Sequence, residues 1–193
     1  MARGLTERPL ELVYFVYFLM HVPATLLIDA QGIMPSNILP ESFRKLVNFY
    51  VNLSGDPLIA GAIGLHGSAT QFTWFHTFVA MECLFQLPAF LIGMSMLKRE
   101  SPYLPILLVI YGAHVTTTVV PALTTVLATP RTTAEILAEK GPFQSMTQAQ
   151  VLMFLSSYLP FLIMPLIMMI DGSMRLVKLV QRNLALEKTA KRL

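Results

Sequence analysis

The chain has 193 residues, of which 54% are hydrophobic and only 13% charged, with a net charge of +3. Soluble domains carry about 25% charged side chains, so this deficit, with a mean hydropathy of +0.61, points to an integral membrane protein and excludes a disordered chain. A single cysteine, Cys83, excludes a secreted disulfide scaffold, and the basic residues sit at the ends of apolar runs rather than on one folded face, which argues against a nucleic-acid partner.

The first apolar run covers residues 10–33. It meets the requirement of about 20 apolar residues for crossing a bilayer. Arg3 and Arg8 precede it as in a signal peptide, but Glu11, His21 and Pro23 interrupt the apolar stretch and no A-x-A pattern follows, so the run is expected to be retained. Residues 35–71 are too polar to span. Within them Phe43, Leu46, Val47, Tyr50 and Val51 recur at three and four residues, which predicts a short amphipathic helix lying at the membrane interface. The glycine-rich stretch 55–67 reads as a loop.

The second run covers residues 72–97 and the third residues 103–127; a polar hairpin, 129–147, leads to the fourth, 149–170. Continuous runs rather than alternating ones exclude a β-barrel. The expected fold is therefore an all-α four-transmembrane-helix bundle, one domain over residues 1–170, followed by a basic helix or tail over 171–193. Every run carries a proline in or near its middle (Pro23, Pro88, Pro121, then Pro160 and Pro165), which predicts kinked helices around a splayed interior. Four crossings put both ends and the second-to-third connection on one side. That side holds Arg3, Arg8, Lys98, Arg99, Arg175, Lys178, Arg182, Lys188, Lys191 and Arg192, against Arg44, Lys45, Arg131 and Lys140 on the other. The bias makes the first side cytosolic and the polar segments luminal.

Polar groups inside the apolar runs are the candidate site. A carboxylate at bilayer depth costs roughly 2.5–3.5 kcal/mol and needs a partner, a proton or water. Glu82 sits eleven positions into the second run, with Gln86 one helical turn later. Asp29 lies near the luminal end of the first run, eight positions after His21. Asp56 opens Asp56-Pro57-Leu58, a helix start on local grounds, yet on the luminal side of any cavity that Glu82 lines. Tyr111, His114 and Thr118 share a face of the third run, and Ser157 and Tyr158 precede Pro160 in the fourth. Interhelical hydrogen bonding is the plain account of such groups. The alternative is a pocket with aromatic walls and acidic floor groups, suited to an amphiphile with a basic nitrogen or to a sterol. His21, His66, His76 and His114 are too scattered for a metal site, and P-loop, dinucleotide and nucleophile-elbow motifs are missing, so neither metal nor cofactor is expected.

The segments Tyr17–Pro23 through Asp29, Phe43–Tyr50, Asp56-Pro57-Leu58, Glu82–Pro88, Tyr111–His114 to Pro121, and Tyr158–Pro160 resemble the sigma-2 receptor family, in the same order over about residues 10–170. That family lies within the EXPERA superfamily, which includes emopamil-binding protein, a sterol isomerase. The resemblance implies a multi-pass endoplasmic-reticulum membrane protein with cytosolic termini, a homodimer, and a pocket open toward the bilayer. By the same resemblance Asp29 pairs with a cationic ligand, Asp56 supports it by hydrogen bonding, Glu82 and Gln86 make deep polar contacts, and His21, Tyr50, Tyr111, Thr118, Val119 and Tyr158 line the site. It also implies a role in sterol homeostasis or, by likeness to fungal relatives, in targeting of mitochondrial precursors. Residues 60–69 look like an insertion, and Phe49 and Ser54 depart from the family's aromatics.

Three functions follow as expectations. The first is non-enzymatic binding of sterols or cationic amphiphiles. The second is sterol Δ8–Δ7 isomerisation, with Glu82 as proton donor and His21 or Asp56 as base. The third is a structural or targeting factor in mitochondrial protein import, with sterol-transport or protein-targeting partners.

Overall fold

The computed structural model describes residues 4–35, 37–65, 67–140 and 144–191. Arg3, His66 and Arg192, which entered the charge and histidine arguments, lie outside the described residues. All regular structure among the described residues is helical, apart from one isolated bridge between Arg131 and Met146. Four segments are long and apolar enough to cross a membrane: Pro9–Gly32, Ala69–Lys98, Leu104–Ala128 and Gln148–Ala190.

Helix α1 (Pro9–Leu27) starts with proline at its first position, where no N–H is needed, and continues into a 3₁₀ turn, Asp29–Gly32. Helix α2 (Glu41–Ser54) buries Val47, Val51 and Ser54. It exposes Leu46, Phe49 and Leu53. It ends at Gly55, whose φ of 64° is left-handed and so favours glycine. The glycine-rich stretch that follows is not simply a loop. Helix α3 (Pro57–Ala62) forms there, capped by Asp56, with all six of its residues buried. Gly61 sits inside that helix because a Cβ would fall within the ring of Phe72. It marks close packing rather than a turn.

The second crossing consists of α4 (Thr73–Met81), a π-helical stretch Glu82–Gln86, and α5 (Leu87–Lys98). Pro88 has no N–H to return to the preceding turn, and the Leu87 N–H bonds back to the Glu82 carbonyl, five residues away. Helix α6 (Leu104–Ala128) is followed by the short α7 (Ala134–Lys140), inside what the sequence presents as a plain hairpin. Helix α8 begins behind a capping box: Thr147 Oγ1 accepts from the Gln150 N–H at 3.2 Å, and Gln150 Oε1 accepts from the Thr147 N–H at 2.9 Å. It runs unbroken from Gln148 to Ala190, through residue 170 where the apolar run stops. At 1.5 Å per residue its length is about 65 Å, twice the hydrocarbon thickness.

The crossings alternate in direction, as contacts at each end show. At the end bearing the termini, Arg8 donates to the Leu97 carbonyl at 2.9 Å and pairs with Glu11. Arg175 pairs with Glu11 and Asp171 at 2.7 and 2.9 Å, and Tyr14 donates to Asp171. This clasp joins α1, α5 and α8. A core of Tyr14, Phe18, Phe90, Leu108, Tyr111 and Met168 lies above it. At the distal end a second core contains Val51, Leu58, Ile59, Val126, Met146 and Phe154.

Helices α6 and α8 meet at two glycines. A Cβ on Gly112 would press on the Pro165 carbonyl and the backbone of Met169, and one on Gly172 would lie 2.7 Å from the Pro105 carbonyl. Close backbone approach through small residues is how helices associate where lipid removes the hydrophobic drive. Gly112→Leu is therefore expected to lower the melting temperature in detergent by roughly 10 °C, since overpacking costs about 1–3 kcal/mol or more when backbone must move. Gly93→Ala meets side-chain carbons of Phe18 and Leu107, not backbone, and should cost less.

Candidate functional site

Between the two cores is a cavity of about 200 Å³, bounded by all four crossings and by α2. It is floored by His21 of α1 and Asp29 of the 3₁₀ turn that follows, and walled by α4 and the π-helical stretch through Glu82 and Gln86. Helix α6 adds Thr118 and Val119, α8 adds Tyr158, and α2 adds Tyr50. Eight of the ten residues singled out in the sequence thus face one space.

The other two stand behind it. Asp56 is fully buried and does not line the cavity; its Oδ2 accepts from Tyr50 Oη at 2.9 Å and Tyr158 Oη at 3.1 Å. Its Oδ1 accepts from the N–H groups of Leu58 and Ile59 at 2.9 and 3.2 Å, so the residue is at once the cap of α3 and the anchor of two lining tyrosines. Burial pushes the Asp56 carboxyl above its ordinary range while the four donors pull the other way. Burial also raises the Tyr50 phenol, and the Asp56 charge beside it adds to that. Tyr111 is fully buried in the core nearer the termini, donates to Tyr17 Oη at 3.2 Å, and lies outside the lining.

Two acids share the cavity: Asp29 and Glu82 both line it. Glu82 Oε1 accepts from Thr25 Oγ1 at 2.5 Å and lies 3.9 Å from His21 Nε2. Two carboxyls in one low-dielectric enclosure disfavour each other's ionisation, which favours a single negative charge shared between them. His21 is held by rings: stacked on Phe90 at 4.6 Å between centroids, against Phe161 at 4.4 Å and edge-on to Tyr17. Apart from Ser157 the rest of the lining is apolar, and among the described residues it contains neither lysine nor arginine.

Sequence reasoning missed the apolar walls, including Ile28, Phe75, Phe78, Val115 and Phe161. An apolar side chain in a membrane span reads the same whether it faces lipid or a cavity. It also missed Thr25, four residues after His21 on the same helix face, which the i, i+4 rule could have found.

A family model described as EBP, the EXPanded EBP superfamily or EXPERA, matches residues 42–172. The chain belongs to this family. This EXPERA protein is 32% identical to sigma intracellular receptor 2 of Homo sapiens over 166 residues, 86% of this chain and 88% of the relative. It is 29% identical to sigma intracellular receptor 2 of Xenopus tropicalis over 164 residues, 84% and 87% of the two chains. Against efficient mitochondria targeting-associated protein 19 of Schizosaccharomyces pombe it is 26% identical over 175 residues, 90% of this chain and 80% of that one. The family model begins at α2, so the matched part of this EXPERA protein includes Asp56, Glu82, Gln86 and Tyr158 but not His21 or Asp29.

Proposed function

We propose that this EXPERA protein binds sterols or cationic amphiphiles in its intramembrane cavity, in the manner its likeness to sigma intracellular receptor 2 suggests. The observation that carries the reading is the sign of the cavity: two carboxyls lining one largely apolar space, backed by a third, with no lysine or arginine in the lining among the described residues. Such a space favours a ligand with an ammonium group and a rigid apolar body, because a charge pair shielded from water is stronger than an exposed one. Asp29 is the counter-ion, with Glu82 and Gln86 as deep polar contacts. Asp56 holds the rings of Tyr50 and Tyr158 against the ligand.

The isomerase reading of the same cavity has less support. Asp56, one of its two candidate bases, does not line the space and has both oxygens engaged by donors, which leaves His21. Binding without turnover is the reading favoured. The site belongs to a multi-pass protein of the endoplasmic reticulum with cytosolic termini, kinked helices, an amphipathic luminal α2 and a homodimeric assembly, serving sterol homeostasis or precursor targeting. The excess of basic residues at the end bearing the termini supports that orientation.

A radiolabelled cationic amphiphile is expected to bind saturably to membranes containing the protein, and its neutral isostere, with carbon in place of the ammonium nitrogen, at least tenfold more weakly. Equal affinity for the two would remove the electrostatic basis of the proposal.

A further inference from the structure

Helix α8 runs on past the clasp that joins it to α1. Arg175 is held by Glu11 and Asp171, and Gly172 lies against the Pro105 carbonyl, so the direction of the helix is fixed as far as the clasp. Residues 176–190 continue it as regular helix, none of them buried. That length is about 22 Å at 1.5 Å per residue. A solvated helix standing alone is expected to be polar all round. This one is not: Val177, Leu179, Val180, Leu184 and Leu186 are each about half exposed.

These apolar residues are ordered rather than scattered. Leu176, Leu179, Asn183, Leu186 and Ala190 follow the alternating three-four spacing of a coiled-coil seam, with Leu179 and Leu186 at d and Leu176, Asn183 and Ala190 at a. Val180 takes e, and Val177 and Leu184 widen the seam on that side. The opposite edge is basic, with Arg175 and Arg182 at g and Lys178 at c. Arg175 is engaged in the clasp, which leaves Arg182 for an external contact. Glu187, at e, lies five positions further on. Residues five apart do not face each other within one helix, and neither Arg182 nor Glu187 forms an ion pair among the described residues. In a parallel pair of helices g of one faces e of the other at this spacing, and two-fold symmetry makes the contact twice.

A lipid surface fits the stripe less well. The helix would have to bend away from its clasp, and the bilayer offers no partner for the Asn183 amide in the middle of the apolar face. Two asparagines meeting at a satisfy each other and fix register and strand number. We propose that residues 176–190 pair in parallel with the same segment of a second copy as a two-stranded coiled coil, with Arg182 bound to Glu187 of the second copy. This pairing is the surface of the homodimeric assembly put forward above, and it rests on that reading. The segment is short for a free coiled coil, but it extends a helix already formed, and confinement in one membrane raises its effective concentration.

The test uses the full chain in liposomes, with Cys83→Ser removing the native thiol and one cysteine introduced at a time. Leu186→Cys, at d, brings two thiols together within the roughly 7 Å that a disulfide tolerates between Cα atoms, whereas Gln181→Cys, at f, holds them apart. Under a mild oxidant the first is expected to form disulfide-linked dimer at least about tenfold faster than the second. Adding Arg182→Glu should slow it about tenfold by placing like charges together, and Glu187→Arg on top should restore the rate. Leu179→Cys, the preceding d, repeats the measurement with Leu186 intact. Equal rates at residues 186 and 181 would mean random collision, and no recovery in the charge-swapped variant would remove the contact between Arg182 and Glu187. Slowing by phosphatidylserine in the liposomes would give the face to the bilayer. Each of these overturns the proposal. Light scattering in detergent separates it from the homodimer reading: a dimer that persists while residue 186 fails to cross-link is built on another surface, and a monomer removes both and leaves the stripe to a different protein.

Discussion

Asp29→Asn is expected to reduce the affinity for a cationic amphiphile by two to three orders of magnitude in a saturation-binding measurement. Removing one partner of a buried ion pair costs about 3–5 kcal/mol, and each 1.4 kcal/mol is tenfold. Asparagine keeps the volume and the polarity, so the loss would report charge rather than collapse of the cavity. The neighbouring acid makes the prediction sharper. Because Asp29 and Glu82 line one space, the negative charge could settle on either. If Glu82 carried it, Glu82→Gln would cost more than Asp29→Asn. Thr25 donates to Glu82 and so favours charge there before a ligand enters. The same bond, with His21 at 3.9 Å, occupies Glu82 Oε1, and an ammonium beside Asp29 draws the charge to that residue. We expect Glu82→Gln to cost about tenfold. A reversed order of the two variants would move the counter-ion to the second crossing.

The acids were legible in the sequence for a thermodynamic reason: an ionisable group inside an apolar run is expensive and so stands out. The four crossings were legible because length and continuous hydropathy suffice to recognise them. What sequence could not supply was direction. Ile28, Phe78 and Phe161 line the cavity, while Leu84 and Met20 are exposed on the outer surface, yet all are apolar residues in apolar helices. Tyr111 shares a face with Thr118 by spacing, but three-dimensional packing turns its hydroxyl toward Tyr17. Helix α3 was hidden by glycines at 61, 64 and 67. Only Gly64 and Gly67 of these have the positive φ that a turn signal implies, while Gly61 makes room for Phe72. The π-helical stretch has a partial signal in Pro88, but proline alone does not specify a wider turn. Helix α8 passes residue 170 without a break because the sequence beyond it remains rich in helix formers, and hydropathy reports burial in lipid rather than helicity.

Asp56→Ala should be the most destabilising single change in the distal half, lowering the melting temperature in detergent by roughly 10 °C. The substitution strips the acceptor from four donors at once: two tyrosine hydroxyls and the first two free N–H groups of α3. Each buried donor left without a partner costs about 1–3 kcal/mol, and loss of a cap costs about 1 kcal/mol, though the contributions of one network do not simply add. A total of at least 3 kcal/mol, at about 2–4 °C per kcal/mol for a chain of this size, gives the expected shift. Asp56→Asn retains one oxygen for the cap and an amide that the tyrosine oxygens can accept from, so it should melt within a few degrees of the parent. Tyr50→Phe removes a single bond and should cost less still. The three variants also separate fold from ligand binding. If Asp56 acts on the ligand by holding Tyr50 and Tyr158, Asp56→Asn and Tyr50→Phe should weaken binding by similar factors, about tenfold, despite their different charges. If Asp56 instead acted through its own charge, Asp56→Asn would weaken binding far more than Tyr50→Phe. Its fully buried carboxyl, separated from the cavity by the two rings it anchors, makes the first outcome the one the geometry requires.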